Sequence, residues 1–331
     1  MRVTNNMLIN NMVYNLNQNL RTLEKLQYQK ATGKKFRVPS DDPIGASKSL
    51  KFHTDISKLE QYQRNAEDAM SWMTDTESAL GEIGEVLKRA YELTIDVANG
   101  TKKAPEDLQK VKEEIDQLRE HLIQIGNTTY AGRHIFSGYK TDQPLLNEDG
   151  TYNIDLIMKK DENDADKKAE IFEYNVGVSE TVKVNTLGGK VFGKIDLDEE
   201  GKPIFVEEPD YTSDIDEKKM PYLIAVFDAL SDELDSGTNP DIIQNSIKRL
   251  QDSHEQVLAV RSEVGAKMNR LEMTEKKIGA QINNVNELLS YNEDVDMAEI
   301  SMQIAMAENV YISSLMTGAK IIQPTLVQFL T

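Results

Sequence analysis

The sequence predicts a mainly α-helical protein with an inserted β domain, built as a long antiparallel helical bundle or coiled-coil rod. Three observations carry this prediction. Apolar residues recur at steps of three and four along most of the 331 residues, which places them on one face of a helix. That period disappears from about Leu145 to Tyr211. Both ends of the chain keep the helical period but are almost free of charge.

The charge-free ends are the most unusual feature of the sequence. No charged residue occurs from Val3 to Leu20, and Lys320 is the only one from Asn309 to Thr331, in a chain whose net charge is −18. In a helical array each charge lies near its own copies and repels them, so an uncharged polar face avoids that cost. We therefore predict that the ends pack against copies of the chain. The predicted assembly interface consists of Ile9, Val13, Leu16, Leu20, Leu23, Ile300, Ile304, Tyr311, Leu315, Ile322, Leu326 and Phe329.

The first helix of this interface is expected to be marginal by itself. Residues 3–20 are rich in asparagine, which is a poor helix former. A lone helix of this kind gains too little in water without a partner surface. We therefore expect the terminal helices to be disordered until assembly. The alternative is two amphipathic helices of an ordinary core, and the scarcity of charge at both ends favours assembly.

Glycine, proline and aspartate mark where the predicted helices begin and end. Gly33 ends the first helix, because glycine readily adopts the left-handed conformation found there. Asp42 before Pro43 fits an N-cap followed by proline at the first helical position, and a helix then runs toward Asn99. Pro105 begins the next helix, so the two helices should form an antiparallel hairpin.

A single apolar register in the second half of the chain predicts one very long helix. Every step from Ile243 to Leu289 is three or four residues, and the segment is longer than most helices of compact domains. The two helices of the first half are its simplest partners. His254, Arg261 and Glu275 occupy positions in this register and should set the alignment, as polar seam residues can.

The change of period divides the sequence into three regions. Terminal assembly helices cover residues 1–40 and 291–331, a helical rod domain covers 41–144 and 214–290, and the inserted β domain covers 145–213. Alternating apolar residues in the insert predict short strands. We expect the insert to build its own small core and to be dispensable for assembly.

Two local predictions concern the insert and the packing of the rod. Gly188–Gly189 indicates a turn, and Val191–Phe192 after it resembles a strand. Trp72 lies beside Met70 and Met73 in the apolar register, which indicates core packing and not a ligand site.

Composition and motifs argue against a catalytic protein. The chain has no cysteine and four histidines, and no pair of histidines has the spacing of a zinc site. Neither a serine nucleophile elbow nor a phosphate-binding loop occurs. The acidic balance disfavours nucleic acid, and no apolar run is long enough to span a membrane. We expect no enzyme activity, no cofactor, no nucleic-acid partner and no membrane insertion.

One acidic segment imitates a calcium-binding loop. Asp196, Asp198 and Glu200 alternate, and Gly201 and Glu207 follow at the sixth and twelfth positions of such a loop. A proline at the eighth position and strand-like flanks do not fit that site. An acidic β-turn is the favoured interpretation.

Several segments, taken together, resemble one known family. They are Ala31–Lys35 near the N-terminus, Ile135–Thr141 before the insert and Glu293–Leu330 at the C-terminus. The family motif consists of Pro39, Ser40, Asp41, Asp42 and Pro43. The set resembles bacterial flagellins and, more closely, the flagellin-like hook–filament junction proteins, the hook-associated protein 3 family.

The resemblance implies a structural subunit of the bacterial flagellum that is secreted through the flagellar type III export channel. It would form a ring of its own copies at the hook–filament junction, between hook-associated protein 1 and the flagellin filament. A flagellar export chaperone would be a further partner. The nearest alternative is a flagellin filament subunit, and a secreted type III translocator or effector is an alternative of a different class. A translocator requires a long apolar helix, which the sequence lacks.

Overall fold

The computed structural model describes residues 5–99, 105–158, 169–197, 203–205, 209–235 and 240–327. The chain divides into two compact units. The terminal unit combines Met1–Glu60 with Ala280–Thr331, and the central unit is Gln61–Gly279. From the sequence, the chain was divided into three regions with different boundaries, and that division remains a prediction.

Helices make up most of the described chain, which confirms the predicted fold class. The helices are α1 (Asn5–Thr32), α2 (Pro43–Ala98), α3 (Pro105–Gly126), α4 (Gly188–Phe192), α5 (Tyr222–Asp235), α6 (Pro240–Glu293) and α7 (Met297–Val327). The long register read from Ile243 to Leu289 lies within α6. That the terminal helices become ordered only on assembly stays a prediction.

The expected start and stop signals are in place. Gly33 has a φ of 71°, and its N–H donates to the carbonyl of Gln29 at 2.8 Å, which closes α1. The Asp42 carboxylate accepts from the backbone N–H groups of Ile44 at 3.2 Å and Gly45 at 3.0 Å. These bonds satisfy two of the free N–H groups that every helix start leaves. Asp42 is thus the N-cap of α2.

The strands are short and pair locally. They are β1 (Thr129–Tyr130), β2 (Arg133–His134), β3 (Glu173–Asn175), β4 (Thr181–Lys183), β5 (Asp196–Leu197) and β6 (Pro203–Ile204). Each consecutive pair forms an antiparallel two-stranded sheet. Single bridges, such as Lys194 with Asp210, connect parts of the insert between these sheets. The predicted β character of the insert is confirmed, although much of it is irregular.

The insert shares one apolar core with the helices of the central unit. Phe192 and Leu146 lie so close to Gly126 of α3 that a Cβ there would come within 2.9 Å of both side chains. The ring of Trp72 on α2 packs edge-on against Tyr130 and Phe172, with centroids 5.7 Å and 5.4 Å apart. The role expected for Trp72 is therefore confirmed, whereas the expectation of a separate core for the insert is wrong.

Two local expectations are wrong because packing decides the backbone there. Gly188 and Gly189 begin α4 and do not form a turn, and Val191–Phe192 belongs to the same helix. A Cβ on Gly189 would lie 2.8 Å from the sulfur of Met158. Glycine at these positions permits close packing, and neither residue has a positive φ.

Polar pairs align the long helices of the central unit. Arg261 of α6 forms an ion pair with Glu77 of α2 at 2.6 Å. Further along, Gln251 of α6 donates to the hydroxyl of Tyr91 on α2 at 2.8 Å. Residue numbers rise along one helix as they fall along the other, so α2 and α6 are antiparallel.

Candidate assembly surface

In the terminal unit, α1 and α7 pack against each other in antiparallel orientation. The side-chain amide of Asn19 donates to the hydroxyl of Ser314 at 3.2 Å. Further toward the chain ends, Gly318 lies against Met12, so closely that a Cβ on Gly318 would collide with the Met12 side chain. These two contacts fix the register of the pair.

The less exposed residues of both helices form a narrow stripe, which we call the seam. The seam consists of Ile9, Met12, Leu16, Asn19, Leu23 and Leu26 of α1 and Ile300, Ile304, Ala307, Tyr311, Ser314 and Gly318 of α7. On α1 these positions alternate steps of three and four, as in a coiled coil. Six residues of the predicted interface lie here, so they are covered within one subunit. Those six are Ile9, Leu16, Leu23, Ile300, Ile304 and Tyr311.

A second apolar set remains on the outside of the pair and is called the outer face. Of the predicted interface, Val13, Leu20 and Leu315 belong to it, with 47%, 38% and 42% of their surfaces exposed. Its other members are large apolar residues that sequence reasoning did not select: Tyr14, Met302, Met306, Val310, Ile312 and Met316. The predicted interface residues Ile322, Leu326 and Phe329 lie outside the residues whose side chains the structure describes.

An uncharged groove of about 550 Å³ runs between the two helices. Its polar lining residues are Asn11, Asn15, Asn309, Ser313, Ser314 and Thr317. Leu8, Met12 and Val310 provide its apolar lining. All of its lining residues come from the charge-free ends of the chain. It can accept polar and apolar groups of a neighbour without placing like charges beside each other.

At the other end of this pair lie the two connecting segments, residues 33–42 between α1 and α2 and residues 294–296 between α6 and α7. We call these segments, with the helix ends beside them, the joint. The N–H of Val295 donates to the carbonyl of Gly33 at 3.0 Å, and that of Lys35 donates to the carbonyl of Glu293 at 2.6 Å. The two connecting segments are thereby linked through their backbones. Such pairing leaves few free backbone groups at the ends of four helices.

Side chains reinforce the joint around a buried carboxylate. Lys34 Nζ lies 2.9 Å from Glu293 and 2.7 Å from Asp294. Ser49 donates to the other oxygen of Glu293, and His53 Nε2 lies 3.2 Å from that oxygen. The hydrogen bonds to Asp294 and Glu293 raise the pKa of Lys34, and the bond from Lys34 lowers the pKa of Asp294.

The family motif shapes the entry into α2 beside the joint. The Asp41 carboxylate accepts from the N–H groups of Arg37 at 3.2 Å and Val38 at 3.4 Å, which lowers its pKa below 3.8. Asp42 caps α2, as described above. Asn292 donates to the carbonyl of Gly45 at 2.8 Å, which ties this entry to the end of α6. Pro39, Ser40 and Pro43 are exposed. The two aspartates of the motif therefore position the backbone at the entry into α2.

Within the ranges that the structure describes, no three histidine or acidic side chains are arranged to hold a metal ion. The described helices include none that is both long and apolar enough to cross a bilayer. The candidate calcium loop retains only Asp196 of its acidic residues in the described ranges, where β5 and β6 pair. Asp198, Glu200, Gly201 and Glu207 lie outside the described residues.

Both terminal regions of the chain match a known protein family. Residues 3–141 match the bacterial flagellin N-terminal helical region, and residues 247–330 match the bacterial flagellin C-terminal helical region. Together these matches cover more than half of the chain. The region between them contains the whole insert and α5.

Two curated relatives align over most of their length. A flagellin of Bacillus subtilis is 28% identical over 302 residues, which cover 90% of this chain and 89% of the relative. Flagellar hook-associated protein 3 of Escherichia coli is 28% identical over 247 residues, which cover 74% of this chain and 73% of the relative.

Solved structures share the fold. A putative flagellar hook-associated protein from Vibrio parahaemolyticus superposes with a TM-score of 0.60 at 21% identity, over 76% of this chain and 99% of that structure. FlgL of Bacillus cereus superposes with a TM-score of 0.53 at 22% identity, over 72% of this chain and 99% of that structure. With both ends matched and the fold shared, the chain belongs to the bacterial flagellin family.

Proposed function

We propose that this chain is a structural subunit of the bacterial flagellum that forms the junction layer between hook-associated protein 1 and the flagellin filament. The observation that carries the proposal is the outer face of the α1–α7 pair, together with its uncharged groove. A large exposed apolar patch on a protein surface marks an interaction site. The alignment with a hook-associated protein 3 over 74% of this chain supports the junction position.

The two apolar sets have separate tasks in this proposal. The seam holds α1 and α7 together within a subunit, and the outer face contacts neighbouring subunits. Burying a Val or Leu side chain fully contributes about 1.5–3 kcal/mol. Val13, Leu20 and Leu315 are already more than half covered in the subunit, so each can add about 1 kcal/mol to a subunit contact that is repeated around a ring of copies. The role is mechanical and involves no catalysis.

The partners and location follow from that position. The subunit contacts hook-associated protein 1 on one side, flagellin on the other and its own copies within the layer. It reaches the hook–filament junction by secretion through the flagellar export channel, with an export chaperone bound beforehand. Amide hydrogen exchange of the free subunit tests the expectation that the terminal helices become ordered only on assembly.

A flagellin filament subunit is the second candidate. The alignment with a flagellin extends over 302 residues and 90% of this chain, which is longer than the alignment with the junction protein. The two functions differ in growth. A filament subunit added to filament seeds elongates them continuously, whereas a junction subunit stops after a short layer.

Electron microscopy of flagella from cells that produce the labelled protein tests the proposal. Label confined to a narrow band between hook and filament is the expected result. In a strain without the gene, hooks should persist while flagellin appears in the medium. Label along the whole filament would favour the filament subunit, and label absent from flagella would refute both candidates.

A further inference from the structure

A short segment at the end of α1 has a charge opposite to that of the chain. From Arg21 to Arg37 there are six cationic residues and one carboxylate, Glu24, whereas the whole chain has a net charge of −18. The cationic residues are Arg21, Lys25, Lys30, Lys34, Lys35 and Arg37. None of these cations belongs to the seam, where burying a charged side chain would be unfavourable. The reversed charge therefore needs another explanation.

Four of these cations line one cleft between α1 and the segment that follows it. The cleft has a volume of about 380 Å³. Its cationic and apolar walls are formed by Arg21, Lys25, Lys35, Arg37, Tyr28 and Val38. The Arg37 guanidinium lies 5.3 Å from the centre of the Tyr28 ring, a contact that holds the cation in place without neutralising it. We call this the basic cleft.

The acidic groups of the cleft do not cancel its charge. Asp41 lies 4.0 Å from Lys25 in an exposed pair, a kind of contact that is weak in water. The lining has four cations and two carboxylates, so a positive charge remains with both carboxylates ionised. Glu24 is the other carboxylate of the lining, and Arg21 is exposed beside it. Arg21, Lys25 and Arg37 are therefore available to an acidic ligand.

The same chain contains a complementary surface on α2. From Glu67 to Glu85 there are six carboxylates and no lysine or arginine. Glu77 is paired with Arg261. Four others, Glu67, Asp68, Glu82 and Glu85, are exposed. We call these four residues the acidic face. Glu82 and Glu85 share a shallow groove with Arg89 and Arg261, which are paired with Glu114 and Glu77.

We propose that the basic cleft binds the acidic face of α2 in a second copy of this chain. The choice of a second copy rests on the proposed function, in which copies form a ring. The cleft and the acidic face are different patches, so the contact is heterologous, the type that generates rings or helical arrays. Copies with a net charge of −18 repel each other, and this contact supplies the local attraction that aligns them.

Reciprocal charge reversal of the purified full-length protein tests the contact. One variant carries Arg21→Glu and Lys25→Glu, and the other carries Glu82→Lys and Glu85→Lys. Each alone should self-associate about tenfold more weakly than wild type in sedimentation at low salt, as loss of a charge pair predicts. An equimolar mixture should recover association, because the reversed cleft and the reversed face attract each other. Unchanged association of either variant, or a mixture that does not recover, would overturn the proposal.

Disulfide trapping provides an independent readout, since the chain has no cysteine. Arg21→Cys and Glu82→Cys chains, carrying tags of different size, are mixed and mildly oxidised. The matched control replaces the exposed Lys276 with cysteine in place of Arg21. A mixed cross-link that exceeds the control and decreases with added salt is expected. Cross-linking equal to the control would overturn the proposal. If the same cysteine chains are oxidised within flagella, cross-linking to another flagellar protein in place of a second copy would also overturn it.

These solution measurements do not depend on where the protein resides in the flagellum. Failure of the charge swap would leave the junction role intact. Label absent from the junction would refute the proposed function even if the charge swap succeeded.

Discussion

Lys34 and Glu293 form an ion pair at 2.9 Å that joins the segment after α1 to the last residue of α6. The Lys34 side chain is 44% exposed, whereas that of Glu293 is 11% exposed. The carboxylate is therefore the member that depends on its partners, because a shielded charge without a partner is costly. The pair connects two places that are distant in the sequence and makes the joint a defined element of the terminal unit.

Replacing Lys34 with methionine should loosen the joint. The change keeps the aliphatic stem but removes the charge opposite Glu293, which retains Ser49 and His53 as partners. Because the Lys34 side chain is 44% exposed, the loss should be about 1–2 kcal/mol. Urea unfolding followed by circular dichroism, with hydrogen exchange near residue 293, measures the effect. The matched control is Lys276→Met, whose partner Glu272 is exposed, and its effect on stability should be clearly smaller than that of Lys34→Met. Equal effects of both variants would contradict this role of Lys34.

Asp42→Ala should weaken the start of α2. The alanine cannot accept from the N–H groups of Ile44 and Gly45, and loss of an N-cap costs about 1 kcal/mol. Asp42→Ser, which retains a capping oxygen, is the control and should recover most of the stability. Chemical denaturation of both variants measures the difference. If serine and alanine were equally destabilising, the role of Asp42 would lie elsewhere than in the cap.

Two aspartate substitutions should separate the seam from the outer face. Ile304 in the seam is 7% exposed, so Ile304→Asp buries a charge and should cost more than about 3 kcal/mol of α1–α7 pairing. Val13 is 47% exposed, and Val13→Asp should change subunit stability by about 0.5 kcal/mol or less while blocking assembly. Thermal unfolding and electron microscopy of flagella give the two readouts. Normal filaments with Val13→Asp would contradict the assignment of the outer face.

Asp210 should make the central unit sensitive to acid. Burial raises the pKa of Asp210, but hydrogen bonds from Ser213 and Thr212 outweigh it and lower the pKa from 3.8 to about 2. A lowered folded-state pKa stabilises the fold above the unfolded value, and this contribution is lost as the pH falls through about 2. The loss of stability caused by Asp210→Asn should therefore be full at neutral pH and shrink below pH 3.8. A difference between wild type and variant that is constant with pH would refute this.

Deleting residues 146–211 should destroy the cooperative unfolding of the central unit, although the sequence had suggested that the insert is dispensable. The deletion removes Tyr152 and Phe192, which are fully buried in the core shared with the helices. The smaller change Phe192→Ala should cost about 3–5 kcal/mol and keep the fold. A deletion variant with a sharp helical unfolding transition would show that the helices form a sufficient core without the insert.

The long helices were predictable because their sequence signals are local and repeated. The register of α6 continues without interruption from Ile243 to Leu289, and Asp42 with Pro43 marks the start of α2 as capping chemistry requires. The insert was less predictable, since its structure depends on contacts between distant residues. Gly188 shows this, because close packing against Leu145, and not turn geometry, is what makes glycine necessary there.

The assembly residues were predicted in part, for a geometric reason. The apolar positions of α1 that the sequence offers include Val13 and Leu20, but the seam contains their neighbours Met12 and Asn19. Adjacent residues on a helix differ by about 100° in direction, so two apolar registers one residue apart cover different faces. Composition alone does not say which register a partner helix will cover. The bond from Asn19 to Ser314 shows that a polar residue can occupy the seam.

The antiparallel order of α1 and α7 has a consequence for interrupted chains. Met12 finds its neighbour Gly318 almost at the opposite end of the sequence, so a chain that stops before α7 leaves the apolar side of α1 open to water. Only a chain extended through Gly318 can close the seam over its full length. An incomplete subunit therefore exposes apolar residues of α1 that a complete subunit covers with α7. The two differ at the surface where copies would meet.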